Sequence, residues 1–309
     1  MVNSLVMKSA VTPVKELDTV EPRENWFQSW FPYLRWIPTS SVKLKEAEEK
    51  FIDFIKVPSE GFYVNIGKLT GGDECKIWTR KFKRPGLKDE GKIPLVMIHG
   101  MGAGLAMFAL NIDSLAQDRV VFAIDLPGFG RSSRPGFSSD PEEVERQYVA
   151  CIEEWRKQVG LEKMNLLGHS FGGFLSALYT MEYQDRLHRT ILADPWGMVD
   201  RPADIVQRMN VSRGFRAVFS IVKHFNPLWG LRASGPAGPR LMKRMRPDLM
   251  RKFEDLVGEE NLQVVADYLF HCNGQDPAGE TAFSRYRAAS LLQGSFLARF
   301  WSRRLPGHC

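Results

Sequence analysis

The chain has 309 residues, 44% of them hydrophobic and 25% charged, with a formal net charge of +6. This is an ordinary globular composition, long enough for one large domain with an insertion or for two modest ones. No apolar run approaches the roughly 18 residues of a spanning helix, and the first residues (MVNSLVMKSAVTPVKE) lack a secretory signal's apolar core and cleavage site.

The four cysteines, Cys75, Cys151, Cys272 and Cys309, are scattered without a C-x-x-C, which reads as reduced cytosolic thiols. The charge is uneven. From Met198 to Glu254 there are twelve Lys or Arg against four Asp or Glu, and from Thr281 to Cys309 five Arg and no acid. Such stretches attract nucleic acid or anionic lipid headgroups, or simply face water. No nucleic-acid-binding motif is present and no metal-ligand cluster, so neither a nucleic-acid partner nor a cofactor is expected.

In chain order, WFQSWFPYLRWI (residues 26–37) comes first and holds Trp26, Trp30 and Trp36, interrupted by Pro32. Indoles favour surfaces that are apolar on one side and wet on the other. This short, bent segment is therefore expected in a headgroup layer or lipid-droplet monolayer, with an arm packed on the core as the alternative. Ser41–Lys56 carries Leu44, Ala47, Phe51, Ile52, Phe54 and Ile55 at helical spacing and predicts a helix docked on protein.

Residues 61–67 and 76–82 alternate like half-buried strands, and Lys83–Lys92 reads as a loop. Leu95–Ile98 is a short apolar strand ending in His99-Gly100-Met101-Gly102, and Val120–Ile124 is another, ending in Asp125-Leu126-Pro127-Gly128-Phe129-Gly130. Pro141 opens a helix to Val159 with Asp140 as its N-cap. Met164–Leu167 leads into Gly168-His169-Ser170-Phe171-Gly172, a G-x-S-x-G turn, followed by a helix over Phe171–Tyr183. Thr190–Ala193 is one more strand, stopping at Asp194-Pro195-Trp196-Gly197. Strands alternating with helices predict an α/β fold with a mostly parallel sheet, whose site lies outside the carboxyl ends of the strands. In G-x-S-x-G the serine sits on a strained strand-to-helix turn and needs a base to take its proton.

These turns, in this order, resemble the α/β-hydrolase superfamily. LKEAEEK, DLPGFGRSSRPGFSSDPEEVE, GHSFGGF, DPWG, YLFHCN and GETAF narrow the resemblance to the branch of α/β-hydrolase domain proteins 4 and 5, from about Glu21 to Phe283. One of these is a phospholipid hydrolase, the other a lipid-droplet co-activator of a triglyceride lipase with acyltransferase activity. The resemblance implies an α/β-hydrolase fold with a helical cap. It implies Ser170 as nucleophile, and the backbone N–H groups of Met101 and Phe171 as oxyanion donors. A family member with Asn at this position is hydrolytically silent, so Ser170 favours an enzyme. His99 is expected to brace its turn, His169 to support the elbow and Asp125 to cap its own turn. Asp194 is a substitute acid.

The histidine of the triad is harder to find. The superfamily runs nucleophile, acid, histidine, with the last two beyond the cap. The resemblance stops after Phe283, and the remaining residues show no apolar strand bounded by turns, so the C-terminal strands and helices are expected to be missing. His188 reads as the end of a helix, His224 lies in the cap, His271 belongs to the HCN segment and His308 is next to the terminus. The expectation is an incomplete triad with no good substitute for the histidine; only robust Ser170-dependent activity would make His271 or His224, swung in from the cap, the first residue to mutate. His271 and Asp276 also fit an acyltransferase-like H-x-x-x-x-D spacing, which one chance match explains as well.

The expected layout is an arm with its lipid anchor and helix (1–57), the hydrolase core (58–197), a basic helical cap (198–283) and a divergent tail (284–309). The expected function is serine-type hydrolysis of a phospholipid or lysophospholipid in lipid homeostasis, impaired by the absent histidine. The alternatives are a non-catalytic lipid-droplet co-activator, partnered by a lipase or coat protein, and a lysophosphatidic acid acyltransferase. The expected location is cytoplasmic, peripheral on lipid droplets or membranes, with the mitochondrion as a further option.

Overall fold

A computed structural model of the chain describes residues 39–69, 72, 74–88, 91–198 and 228–293. A six-stranded sheet is built from β1 (Ser59–Lys68), β2 (Glu74–Phe82), β3 (Leu95–Ile98), β4 (Val121–Ile124), β5 (Met164–His169) and β6 (Leu187–Ala193) in the order β1-β2-β4-β3-β5-β6. The β1–β2 and β2–β4 pairs are antiparallel, while β4, β3, β5 and β6 run parallel. Leu95–Ile98 and Val121–Ile124 are buried along their whole length, as central parallel strands covered on both faces must be.

Nine helices surround the sheet among the described residues: α1 (Ser41–Ile52), α2 (Ala109–Leu115), α3 (Pro141–Val159), α4 (Phe171–Glu182), α5 (Trp229–Ala233), α6 (Gly238–Met245), α7 (Pro247–Val257), α8 (Leu262–Gly274) and α9 (Ala278–Gln293). None of the described helices is long and apolar enough to cross a membrane. In α3, both carboxylate oxygens of Asp140 accept first-turn amides, from Glu142 and Glu143. Pro141 fits the first position, and Gly160 ends the helix at φ 77°.

In α1, Leu44, Ala47, Glu48, Phe51 and Ile52 are buried, a stripe with helical period. Phe51 sets its ring edge-on to Phe253 of α7 and Tyr268 of α8, 5.3 and 5.6 Å away. The buried Glu48 takes part in the docking: its Oε1 accepts from Trp78 Nε1 (2.9 Å), Arg80 Nε (3.2 Å) and Arg131 Nη1 (2.9 Å). Arg131 in turn lies over the Trp78 ring at 3.6 Å. With the neighbouring Glu49, which also pairs with Arg80 and Arg131, Glu48 thus ties α1 to β2 and to the turn after β4.

Two expectations are corrected. His188 does not end a helix. Strand β6 starts at Leu187 rather than Thr190, and His188 is an exposed residue near its beginning. The strand escaped recognition because Arg186-Leu187-His188-Arg189 lacks apolar alternation; pairing with β5 overrides weak propensity there. The segment Leu105–Leu115, a 3-10 turn leading into α2, had no sequence signal strong enough to set it apart from the glycine-rich turn before it.

Candidate active site

The β5–α4 elbow is shaped by close backbone approach. A side chain on Gly168 would overlap the Gly172 carbonyl and the Ser176 hydroxyl. One on Gly172 would overlap the carbonyl of Ile98 and sit 2.5 Å from that of His99. Only glycine leaves room for the helix to start this tightly against β3.

Between them Ser170 adopts φ 53°, ψ −115°. A non-glycine residue holds such a conformation only when its surroundings impose it. Here its N–H donates to the Ala193 carbonyl (3.0 Å), and its own carbonyl accepts from Phe174 (3.0 Å) and Trp196 (2.9 Å). Ser170 caps α4 without using its side chain, and among the described residues its half-buried hydroxyl has no hydrogen-bond partner.

The turn after β3 meets this elbow. A Cβ on Gly100 would stand 3.0 Å from Ser170 Cβ and 3.2 Å from His169 Nδ1. Met101 follows directly on that glycine and is 36% exposed, while the buried Phe171 opens α4. The parallel pairing of Ile98 with Gly168 sets this register. The ends of β3 and β5 therefore bring Gly100 and its neighbour Met101 beside Ser170 and Phe171.

Three side chains brace the turn from outside. Asn273 Nδ2 donates to the Gly102 carbonyl (2.8 Å) as well as to Leu269 O (2.8 Å) in its own helix. Tyr268 OH accepts from the Ala106 amide at 3.1 Å. Asp125, fully buried, accepts from the Leu105 amide on Oδ1 (2.7 Å) and from the Arg131 amide on Oδ2 (2.8 Å). Burial nonetheless raises its carboxyl to about 6, against those two amides. Tyr268 and Asn273 were missed as bracing residues. Their shared presence in YLFHCN, on a helix, was the signal available.

His99 is structural in its bonding. Its Nδ1 donates to Gly100 O (2.7 Å) and its Nε2 accepts from the Leu126 amide (3.1 Å), linking the β3 and β4 turns. Burial depresses it to about 4, so the ring is neutral near pH 7, consistent with that tautomer. His271 does not swing in: its Nδ1 bonds Thr39 Oγ1 at 2.9 Å, on the α1 side of α8. His188 lies near the start of β6, at the end of the strand opposite to Ser170. His169 is exposed, and beside Gly100 it shares the neighbourhood of Ser170 more closely than expected.

Asp194 is exposed at φ 49°, between Ala193 and Trp196, whose backbones bond Ser170. Among the described residues no hydrogen bond or ion pair joins its carboxylate to a histidine. His224, His308 and the anchor tryptophans Trp26, Trp30 and Trp36 lie outside the described residues.

A third wall comes from α9. Gly279 N–H donates to Gly128 O at 3.3 Å, and the two glycines face each other too closely for side chains. Phe283 then packs edge-on against Phe171 and Trp196, 5.0 Å from each. GETAF thus closes on DLPGFG and on the start of α4. A separate cavity of about 350 Å³ opens between α1 and α8, lined by Lys43, Lys50, Asp267 and His271 among others, with no elbow residue in its wall.

This geometry has a counterpart in known proteins: the family described as alpha/beta hydrolase fold matches residues 93–270. The chain belongs to that family. The 1-acylglycerol-3-phosphate O-acyltransferase ABHD5 of Pongo abelii is 46% identical over 245 residues, covering 79% of this chain and 67% of that protein. The (Lyso)-N-acylphosphatidylethanolamine lipase of Homo sapiens is 41% identical over 266 residues, 86% of this chain and 74% of the relative. Its Bos taurus counterpart is 43% identical over 245 residues, 79% and 68%. The branch indicated by the sequence motifs is therefore the one in which this α/β-hydrolase finds relatives.

Proposed function

We propose that this α/β-hydrolase carries serine-type lipid ester chemistry on a phospholipid or lysophospholipid at a lipid surface. The observation that carries the reading is Ser170, held at φ 53° with a free hydroxyl against Gly100. The relatives support the substrate class, since an acylglycerol phosphate acyltransferase and a lyso-N-acylphosphatidylethanolamine lipase both take their names from an acylated phospholipid. Ser170 Oγ attacks the ester carbonyl carbon as its proton passes to a base. The carbonyl oxygen becomes an oxyanion facing the N–H groups of Met101 and Phe171, with the N-terminus of α4 behind it. Collapse expels the glycerol oxygen, which takes a proton, and leaves acyl-Ser170. Water then releases the fatty acid, or a lysophospholipid hydroxyl takes the acyl group instead.

Turnover is slow in this reading. Among the described residues His99 and His271 are bonded elsewhere and His188 is at the wrong end of β6, which leaves His169, the immediate chain neighbour of Ser170; His224 and His308 lie outside those residues. Losing a triad base costs orders of magnitude and leaves the contributions of the oxyanion donors and of binding. The same engaged histidines favour a second reading, a non-catalytic lipid-droplet protein that binds a lipase or a coat protein. In both readings the chain is peripheral on a lipid surface, with Trp26, Trp30 and Trp36 as its anchor.

Fatty acid release from a lysophospholipid by the purified chain and its Ser170→Ala variant separates these readings. Slow release that disappears with Ser170→Ala is expected. Release unchanged in the variant contradicts a Ser170 nucleophile. Fast release abolished in the variant contradicts the account of the histidines, and makes His169→Ala the next substitution.

A further inference from the structure

The corner between α6 and α7 is built to face outward with one sign of charge. Met242, Met250, Phe253 and Val257 are buried beneath it, which fixes the inner side of both helices. A side chain on Gly238 would overlap the Phe270 ring, so α6 also sits hard on α8. Outward stand Arg240, Lys243, Arg244, Arg246, Arg251 and Lys252, all exposed, against the single acid Asp248 between residues 240 and 252. Asp248 is clasped by Arg246 through two hydrogen bonds, at 3.0 and 2.9 Å. Among the described residues, the other five basic side chains have no carboxylate within ion-pair distance. The acids of α7, Glu254 and Asp255, come at its far end. At the apex Met245 is 60% exposed, a large flexible apolar side chain between Arg244 and Arg246.

We propose that this corner is a docking face for an anionic phospholipid surface, with the basic side chains on headgroups and Met245 inserted among the acyl chains. A convex helix corner that is basic, with an apolar tip, matches the interfacial pattern, in which charge attracts and apolar area inserts. A nucleic acid or acidic protein would use the charges but gives the exposed Met245 nothing to bury in. The face also bears on the site: α6 packs on α8, whose Asn273 holds the Gly102 carbonyl. Docking here deepens the lipid-surface reading above without depending on catalysis by Ser170.

Flotation of the full chain with phosphatidylcholine vesicles, with and without phosphatidylserine, tests the proposal. Binding that is stronger with phosphatidylserine than without it is expected. Each basic residue at such a surface is worth about fivefold in partitioning, so the triple variant Arg240→Gln, Lys243→Gln, Arg244→Gln should bind roughly 100-fold more weakly. Met245→Ala should weaken binding several-fold. A control of equal charge change, Lys56→Gln, Lys68→Gln, Lys88→Gln, should bind within about threefold of the parent, and Ser170→Ala should float unchanged. Three results would overturn the proposal: no preference for phosphatidylserine, an equal loss in both triple variants, or tighter binding to single-stranded RNA than to the anionic vesicles at the same salt. If Ser170-dependent release fails while anionic flotation survives, the catalytic reading falls and this one stands.

Discussion

Asp125→Asn changes stability by an amount that depends on pH. The Asp125 carboxyl is fully buried and raised from 3.8 to about 6 by that burial. A rise of this size corresponds to about 3 kcal/mol, at ~1.4 kcal/mol for each pH unit. The folded state therefore holds the proton more tightly than the unfolded chain. Its contribution to stability is complete below pH 3.8 and is lost as pH rises through about 6. Neighbouring His99 works in the opposite sense: depressed from 6.5 to about 4, it contributes stability above pH 6.5 that is lost as pH falls through 4. The parent protein feels both, so their slopes oppose. The amide of Asn cannot ionise, and it offers one acceptor oxygen where the amides of Leu105 and Arg131 now find two. The lost bond costs about 1–3 kcal/mol at any pH. Urea unfolding should then show a destabilisation that is largest near pH 4 and about 2–3 kcal/mol smaller near pH 7. A difference between variant and parent that is flat with pH, or that grows towards pH 7, would falsify this; it would mean that the two backbone amides hold the carboxylate ionised.

Gly172→Ala forces a methyl group against the backbone carbonyls of Ile98 and His99, which cannot yield as a side chain would, so more than about 3 kcal/mol of stability should be lost in thermal unfolding. A melting temperature equal to that of the parent would contradict this packing. Glu48→Ala removes the buried carboxylate of Arg80 and Arg131 and leaves them Glu49 alone, so it should cost about 1.5–3 kcal/mol in urea unfolding, whereas no measurable loss would mean the Glu48 bonds do not hold α1 down. His271→Ala removes the bond to Thr39 and should lower stability by about 1 kcal/mol while leaving Ser170-dependent release unchanged; loss of release would put His271 in the site. Replacing Trp26, Trp30 and Trp36 together by Ala should release the chain from neutral vesicles or lipid droplets in flotation, and unchanged flotation would rule out the anchor.

Regular features were readable in the sequence because local chemistry decides them. Asp140-Pro141 and Gly160 bracket α3, and the period of Leu44, Ala47, Phe51 and Ile52 marks the docked face of α1. The elbow was readable too, since only small residues at 168 and 172 permit it. The first half of β6 was not: Leu187, His188 and Arg189 are in a strand because β5 offers them a partner, information that lies in another part of the chain. The braces on the 99–106 turn were hidden for the same reason. Asn273 and Gly102 are 171 positions apart, and nothing near either residue announces the bond. His271 was read as a poor candidate for the base, but its partner was not legible: Thr39 lies 232 positions away, and the helix face His271 occupies turns it towards that residue.

Reaction of the purified chain with an alkyl fluorophosphonate, followed by mass spectrometry of its peptides, tests the central claim most directly. Phosphonylation needs an exposed serine whose proton passes to a base and a preorganised oxyanion site, but not turnover, so long incubation records even a slow Ser170 nucleophile. The account predicts one adduct, on Ser170, absent from Ser170→Ala. No adduct on Ser170, or equal labelling of the variant, would contradict it.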